Sequence, residues 1–155
     1  MSGIEKLCFC KIEGREAKIP ERAHSGDAGI DIFAPLDMPR TWINPHMDVL
    51  IKTGLRVAVP EGYALIVKNK SGIATKKKLV IGACVIDHGY TGELTIHLMN
   101  VSLWTESIDP GEKITQVILV PVETPEVSMV SEDEYMNSYG DSERGEGGFG
   151  STGNK

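Results

Sequence analysis

Val49-Leu-Ile-Lys-Thr-Gly-Leu-Arg-Val-Ala-Val59 is the stretch that decides the fold. Apolar positions alternate in part with polar ones, and the run is rich in β-branched side chains that suit a pleated, half-buried surface. A period of two sends successive side chains to opposite faces, so one face meets a core and the other meets water. The same reading extends outward to residues 63–67, 93–99 and 113–122. Prolines at 20, 35, 39, 45, 60, 110, 121 and 125, with frequent glycine, leave little room for long helices. Residues 71–78 are the one place where a short helix fits, with Ser71 as its cap. The expectation is an all-β sandwich or jelly roll over residues 1–136. The strand pattern fades from about Thr124, and the chain is polar and glycine-rich from Asn137. Residues 137–155 are therefore expected to form a mobile C-terminal arm rather than a second domain.

At 155 residues the chain is long enough for one well-buried core, and its 41% hydrophobic and 25% charged content is ordinary for a globular protein. No apolar run approaches a membrane span, and the first residues lack the order of a signal peptide. Cys8, Cys10 and Cys84 cannot all pair with one another, and His24, His46, His88 and His97 are too scattered for a zinc tetrad. The chain reads as cytosolic and reduced. A net charge of −6 argues against binding nucleic-acid polymers, and without an apolar span no membrane partner is expected. Lys68, Lys70, Lys76, Lys77 and Lys78 nevertheless cluster around Ser71-Gly72, which suits a small polyanion. Lys76 to Lys78 read better as a solvated loop face.

Several short stretches combine glycine with chemistry. In Gly82-Ala-Cys-Val-Ile-Asp87-His-Gly-Tyr90-Thr-Gly-Glu93 a strand, a tight turn at His88-Gly89 and a second strand are expected, with Gly92 at a bulge or close approach. Asp87 is either a turn cap or a carboxylate base beside a water, and Tyr90 either fills core or packs on a sugar. In Ser25-Gly-Asp27-Ala-Gly-Ile-Asp31, alternation would put Asp27, Gly29 and Asp31 on one face, where two carboxylates can hold a hydrated Mg²⁺. Asn69-Lys70-Ser71-Gly72 pairs a cation with a hydroxyl at a helix start and favours phosphate oxygens. Gln116, polar within an apolar run, needs a backbone or ligand partner. The tail Arg144-Gly-Glu-Gly-Gly-Phe-Gly-Ser-Thr-Gly153 offers a guanidinium fork, hydroxyls, an aromatic face and a compliant backbone. It fits the G-x-G-x-x-G pattern at Gly145, Gly147 and Gly150, but follows no strand and opens no helix, so the dinucleotide-fold reading fails. A Walker-type spacing fails too, because Ser151 stands at the lysine position.

Taken in order, these segments resemble the five motifs of the trimeric dUTP pyrophosphatase (dUTPase) family, over residues 25–153. The resemblance implies a jelly-roll-like β-clip barrel, a homotrimer with active sites shared between subunits, and an arm that closes over a neighbour's site. It implies Mg²⁺-dependent hydrolysis of dUTP to dUMP and pyrophosphate by water attack on the α-phosphorus. Carried over residue by residue, Asp87 resembles the base and Tyr90 the ring packed on deoxyribose. Gly82, Cys84 and Ile86 fall in the backbone that reads uracil. Asp31 resembles the acid that holds Mg²⁺ through water. Lys70, Ser71, Gly72, Gln116, Arg144, Gly150, Ser151 and Thr152 would contact the substrate's phosphates, and Phe149 would stack on the base. The chain departs from the family at Lys70, where arginine is usual, at Cys84, where glycine is usual, and at His88-Gly89. The same hairpin is similar to that of dCTP deaminase, which needs a glutamate where this chain has Thr91. A nucleotide-binding regulatory protein on the same scaffold is the third reading.

Overall fold

Leu55 and Val57 point into the protein while Arg56 and Ala58 face solvent, so the stretch that decides the fold is indeed a half-buried strand. The computed structural model describes residues 6–143, 145 and 147. The run 49–59 is divided by a turn at Thr53-Gly54, where Gly54 takes a φ of 76°. It thus gives two strands, β4 (Asp48–Lys52) and β5 (Leu55–Ala58), rather than one. The others are β1 (Cys8–Lys11), β2 (Ile30–Phe33), β3 (Thr41–Ile43), β6 (Tyr63–Lys68), β7 (Leu79–Ile81), β8 (Val85–Ile86), β9 (Thr95–Asn100), β10 (Glu106–Ile108) and β11 (Lys113–Pro121).

All pairings are antiparallel, in four small sheets ordered β1-β5, β10-β3, β2-β11-β6-β8 and β4-β9-β7. The core joins them through Ile32, Leu65, Ile96, Leu98, Ile108, Ile114 and Val117, each no more than 1% exposed. Burying each such side chain stabilises the fold by about 1.5–3 kcal/mol before chain entropy is counted. The expected hairpin over residues 82–93 is not a ladder of two strands. Val85 and Ile86 pair with β6, and the chain then crosses to β9 in another sheet.

The chain divides into two compact units, Met1–Glu123 and Thr124–Lys155. The second holds a helix absent from the sequence reading, α1 (Glu132–Tyr139), and the expected arm boundary at 137 falls inside it. Its signal was present in Ser131-Glu-Asp-Glu134: the Ser131 hydroxyl accepts the Glu134 N–H, and acids fill the first turn. The short helix expected at 71–78 is observed as a π-type turn, Ile73–Lys77, but Ser71 is not its cap. No described helix is long and apolar enough to cross a membrane.

Arg15 ties three segments of the first unit together. Its Nε donates to Asp37 at 2.6 Å, one terminal nitrogen to Glu93 at 2.7 Å and the other to the Lys52 carbonyl at 3.2 Å. Glu93 also accepts the Gly54 N–H at 2.8 Å and so holds the turn between β4 and β5. The hydrogen bond from Arg15, helped by the Glu16 N–H, pulls the Asp37 carboxyl from 3.8 down to about 2. A carboxyl whose folded value is depressed stabilises the protein above its ordinary value and ceases to do so as pH falls through the folded one. The Asp37→Asn variant should therefore lose less stability than wild type between pH 4 and pH 2, read from urea midpoints. Equal losses would show that the Arg15–Asp37 bond does not contribute.

Candidate active site

Two groups of chemically equipped side chains flank the sheet β2-β11-β6-β8. At the β8 edge, Ala83 to Asp87, Val67, Tyr90 and Thr95 line a cleft of about 250 Å³. The Cys84 carbonyl accepts the Val67 N–H at 2.7 Å, which fixes the segment against β6. Gly89, with a φ of 84°, completes a turn in which the Tyr90 N–H donates to the Asp87 carbonyl at 3.3 Å. Asp87 is exposed, and among the described residues its carboxylate has no hydrogen bond or ion pair. A carboxylate that merely capped the turn would accept a backbone N–H there, and this one does not.

Tyr90 is half exposed and is not core filling. Its ring lies over Gly92, where a Cβ would come within 2.3 Å of the hydroxyl oxygen, and that hydroxyl donates to the Glu93 carbonyl at 3.0 Å. The expected close approach at Gly92 is therefore Tyr90 itself. His88 is tied back to the Val59 carbonyl at 2.9 Å.

The second group centres on Asp31, 4% exposed within a fully buried strand. Lys70 donates to its Oδ1 at 2.7 Å, and the Lys113 ammonium lies 2.9 Å from Oδ2 at ion-pair distance, though without hydrogen-bond alignment. Burial pushes the Asp31 carboxyl up, but the two lysines together outweigh it and hold the group below its ordinary value. Gln116, opposite Asp31 in the ladder, donates to the Asn69 carbonyl at 2.8 Å, so its partner here is backbone. Its side-chain oxygen lies where a Cβ on Gly29 would be, 2.1 Å away. Ser71 and Gly72 are exposed beside Lys70.

Two sequence expectations are corrected here, and one residue is added. Asp27 does not join Asp31, because the strand begins only at Ile30 and Asp27 caps a turn by accepting the His24 N–H at 3.0 Å. Lys77 is not a solvated residue, since it pairs with Glu112 at 2.5 Å and donates to the Ser107 carbonyl. Lys113, not singled out in the sequence, joins the site through Asp31. A bulge between Lys113 and Thr115 swings it onto the face shared by Asp31 and Gln116, which simple alternation forbids. Arg144, Phe149, Gly150, Ser151 and Thr152 lie outside the described residues.

The two groups are far apart within one chain. Asp31 aligns through Gln116 with Lys68, whereas Ile86 aligns with Leu65, which sets Asp87 level with Ala64. Three strand spacings across and four residues along give a backbone separation of about 20 Å. Among the described residues no three His, Cys, Asp or Glu side chains cluster to cage a metal. Asp31 is ionised, but both its oxygens face lysines and it is 4% exposed, so a Mg²⁺ contact here would run through water with the substrate's phosphates supplying the direct ligands.

An apolar-walled cleft with backbone polar groups, and a separate lysine cluster suited to phosphates, define a nucleotide-binding β protein. The family described as dUTPase matches residues 15–153. The deoxyuridine 5'-triphosphate nucleotidohydrolase of Hydrogenobaculum sp. is 38% identical over 152 residues, 97% of this chain and 99% of that protein. The enzyme of the same name from Paraburkholderia phymatum is 39% identical over 139 residues, 88% of this chain and 89% of that protein. Among solved structures, the dUTPase of Staphylococcus bacteriophage 80alpha with dUpNHpp superposes with a TM-score of 0.82 at 33% identity, covering 96% of this chain and 99% of that one. A mutant dUTPase of phage phi11 of S. aureus, whose structure reveals coordination of a structural Mg(II) ion, gives 0.73 at 31% identity over 82% and 97% of the two chains. The chain belongs to the dUTPase family. It is an all-β, jelly-roll-type enzyme of that family.

Asp31→Asn would leave two ammonium groups beside a neutral, buried amide. Breaking a buried ion pair from one side costs roughly 3–5 kcal/mol, less where the lysines keep water. The variant should lose at least about 1 kcal/mol in urea unfolding at pH 7. An unchanged midpoint would mean that the cluster does not hold β2 to β11 and β6.

Proposed function

We propose that the chain carries out Mg²⁺-dependent hydrolysis of dUTP to dUMP and pyrophosphate, lowering dUTP and supplying dUMP for thymidylate synthesis. The carrying observation is Asp87, an exposed carboxylate at the 83–87 cleft with no partner among the described residues. In this reading the uracil edge enters the cleft and pairs with backbone groups of Gly82 to Ile86. A slot of this kind rejects the amino group of cytosine by donor–acceptor mismatch and the 5-methyl of thymine by size. Tyr90 packs on the deoxyribose, where a 2′-hydroxyl would clash.

Asp87 accepts a proton from a water whose oxygen bonds to the α-phosphorus. The bond from that phosphorus to the bridging oxygen of the β-phosphate breaks, and pyrophosphate leaves with the electron pair. Lys70 and Gln116, with Ser71 and Gly72, orient the phosphates, and Lys113 keeps Asp31 ionised beside them. Bound Mg²⁺ would offset charge on the triphosphate, with Asp31 as its contact through water. The dUpNHpp bound by the 80alpha enzyme supports a triphosphate as the ligand of this site.

The 20 Å between Asp87 and Asp31 supports a homotrimer in which one subunit's base-binding edge meets a neighbour's phosphate-binding edge. Residues 137–155 are the arm of this reading. Arg144, Ser151 and Thr152 then meet the phosphates, Gly150 lets backbone approach them, and Phe149 stacks on the base. The three exposed, unpaired cysteines fit a reducing cytosol. Deamination of dCTP is disfavoured by Thr91 and by Glu93, whose carboxylate is already bound to Arg15 and the Gly54 N–H.

Pyrophosphate release from dUTP, dCTP, dTTP and UTP, with and without Mg²⁺, tests the proposal. Wild type should prefer dUTP and require the metal. Asp87→Asn should bind dUpNHpp normally while kcat falls by about 10²-fold or more. Ammonia from dCTP without pyrophosphate, or near-normal turnover by Asp87→Asn, would contradict it.

A further inference from the structure

We propose that His97, steered by Asp48, is a positioning residue that holds the backbone of residues 82–84 in its base-selecting shape. The inference rests on the reading of the 83–87 cleft as the nucleobase slot. Residues 82–84 belong to no strand, and Ala83 and Cys84 are exposed, so little packing holds them. They carry three described backbone anchors. One is the Cys84 carbonyl on Val67; the other two both end on His97. The Gly82 N–H donates to the His97 carbonyl at 3.1 Å, and the Ala83 N–H to His97 Nδ1 at 3.2 Å.

The second bond fixes the chemistry of the ring. Nδ1 accepts, so it carries a lone pair, and the proton of the neutral imidazole sits on Nε2. Nε2 then donates to Asp48 Oδ2 at 2.9 Å, which orients the ring from the far side. The ring also explains Gly82. A Cβ there would lie 2.1 Å from His97 Nδ1, so any other residue would push the ring off Ala83 or the segment off the ring. The His97 side chain reaches past the end of β7 to the exposed segment that floors the cleft, and among the described residues the charged group it meets is Asp48 on β4.

The consequence lies in binding and selection rather than in the chemical step. His97→Leu leaves the Ala83 N–H without its acceptor and loosens the segment at Ala83, while the main-chain bonds of Gly82 and Cys84 remain. The KM for dUTP should rise about tenfold and the preference for dUTP over dCTP should fall, while kcat stays within about twofold. His97→Asn presents an amide oxygen where Nδ1 was and should stay near wild type. His97→Gln carries its polar end at the Nε2 position and should behave like His97→Leu. If His97→Leu does not fold, the comparison of Asn with Gln decides.

Urea midpoints are measured beside the kinetics. A variant that loses stability while KM and base preference stay put would overturn the proposal, as would equal losses in the Asn and Gln variants. Wild-type and Asp87→Asn controls separate the two readings. If wild type hydrolyses dUTP, Asp87→Asn does not, and all His97 variants match wild type, this inference fails and the function stands. If wild type does not hydrolyse dUTP, both fall.

Discussion

Strand β6 is paired along its whole length to β11 and at Leu65 and Ile66 to β8, and both candidate half-sites hang from these ladders. On one side, β11 carries Gln116 and Lys113 to Asp31 on β2. On the other, β8 delivers the chain to the Asp87–Tyr90 turn. Because the ladders leave β6 in opposite directions, no rotamer change within one chain can unite the base and the phosphate cluster. The register of this single strand is therefore what leads the proposed reaction to draw on a second copy.

Electrostatics gives the phosphate edge its character. Asp31 is buried and still ionised because two lysines face it, and each lysine is held in place by the same carboxylate. A lysine at position 70 acts as a point charge rather than a fork. It can therefore serve one carboxylate oxygen while its remaining N–H groups stay available to a phosphate. The neighbouring glycine at 29 completes the arrangement, since only a residue without Cβ lets the Gln116 amide lie across the strand.

Much of this was legible in the sequence, and what was not has a common cause. Alternation at Leu55–Ala58 and Thr95–Asn100 gave the strands, because one buried face enforces a period of two. The glycines at 89 and 92 marked the turn and the close approach. What periodicity cannot convey is which strands become neighbours. The 82–93 segment looked like a hairpin because its turn residues are hairpin residues, yet its two limbs join different sheets. Lys113 was hidden by a bulge that no spacing rule encodes, and His97 by a partner fourteen residues earlier on the adjoining segment. Helix α1 was overlooked for a different reason: its cap was legible, but it buries no residue and so has no apolar stripe to read.

The central claim is that a working site takes Asp87 from one subunit and Lys70 from another. Subunit complementation tests it most directly. Asp87→Asn and Lys70→Ala proteins, each inactive alone, are unfolded together at equal concentration, refolded and assayed for pyrophosphate release from dUTP. Random assembly pairs an intact Asp87 edge with an intact Lys70 edge in about one site in four, so roughly a quarter of wild-type activity should return. A mixture that refolds into mixed oligomers yet remains as inactive as its components would mean that each site is built within a single chain.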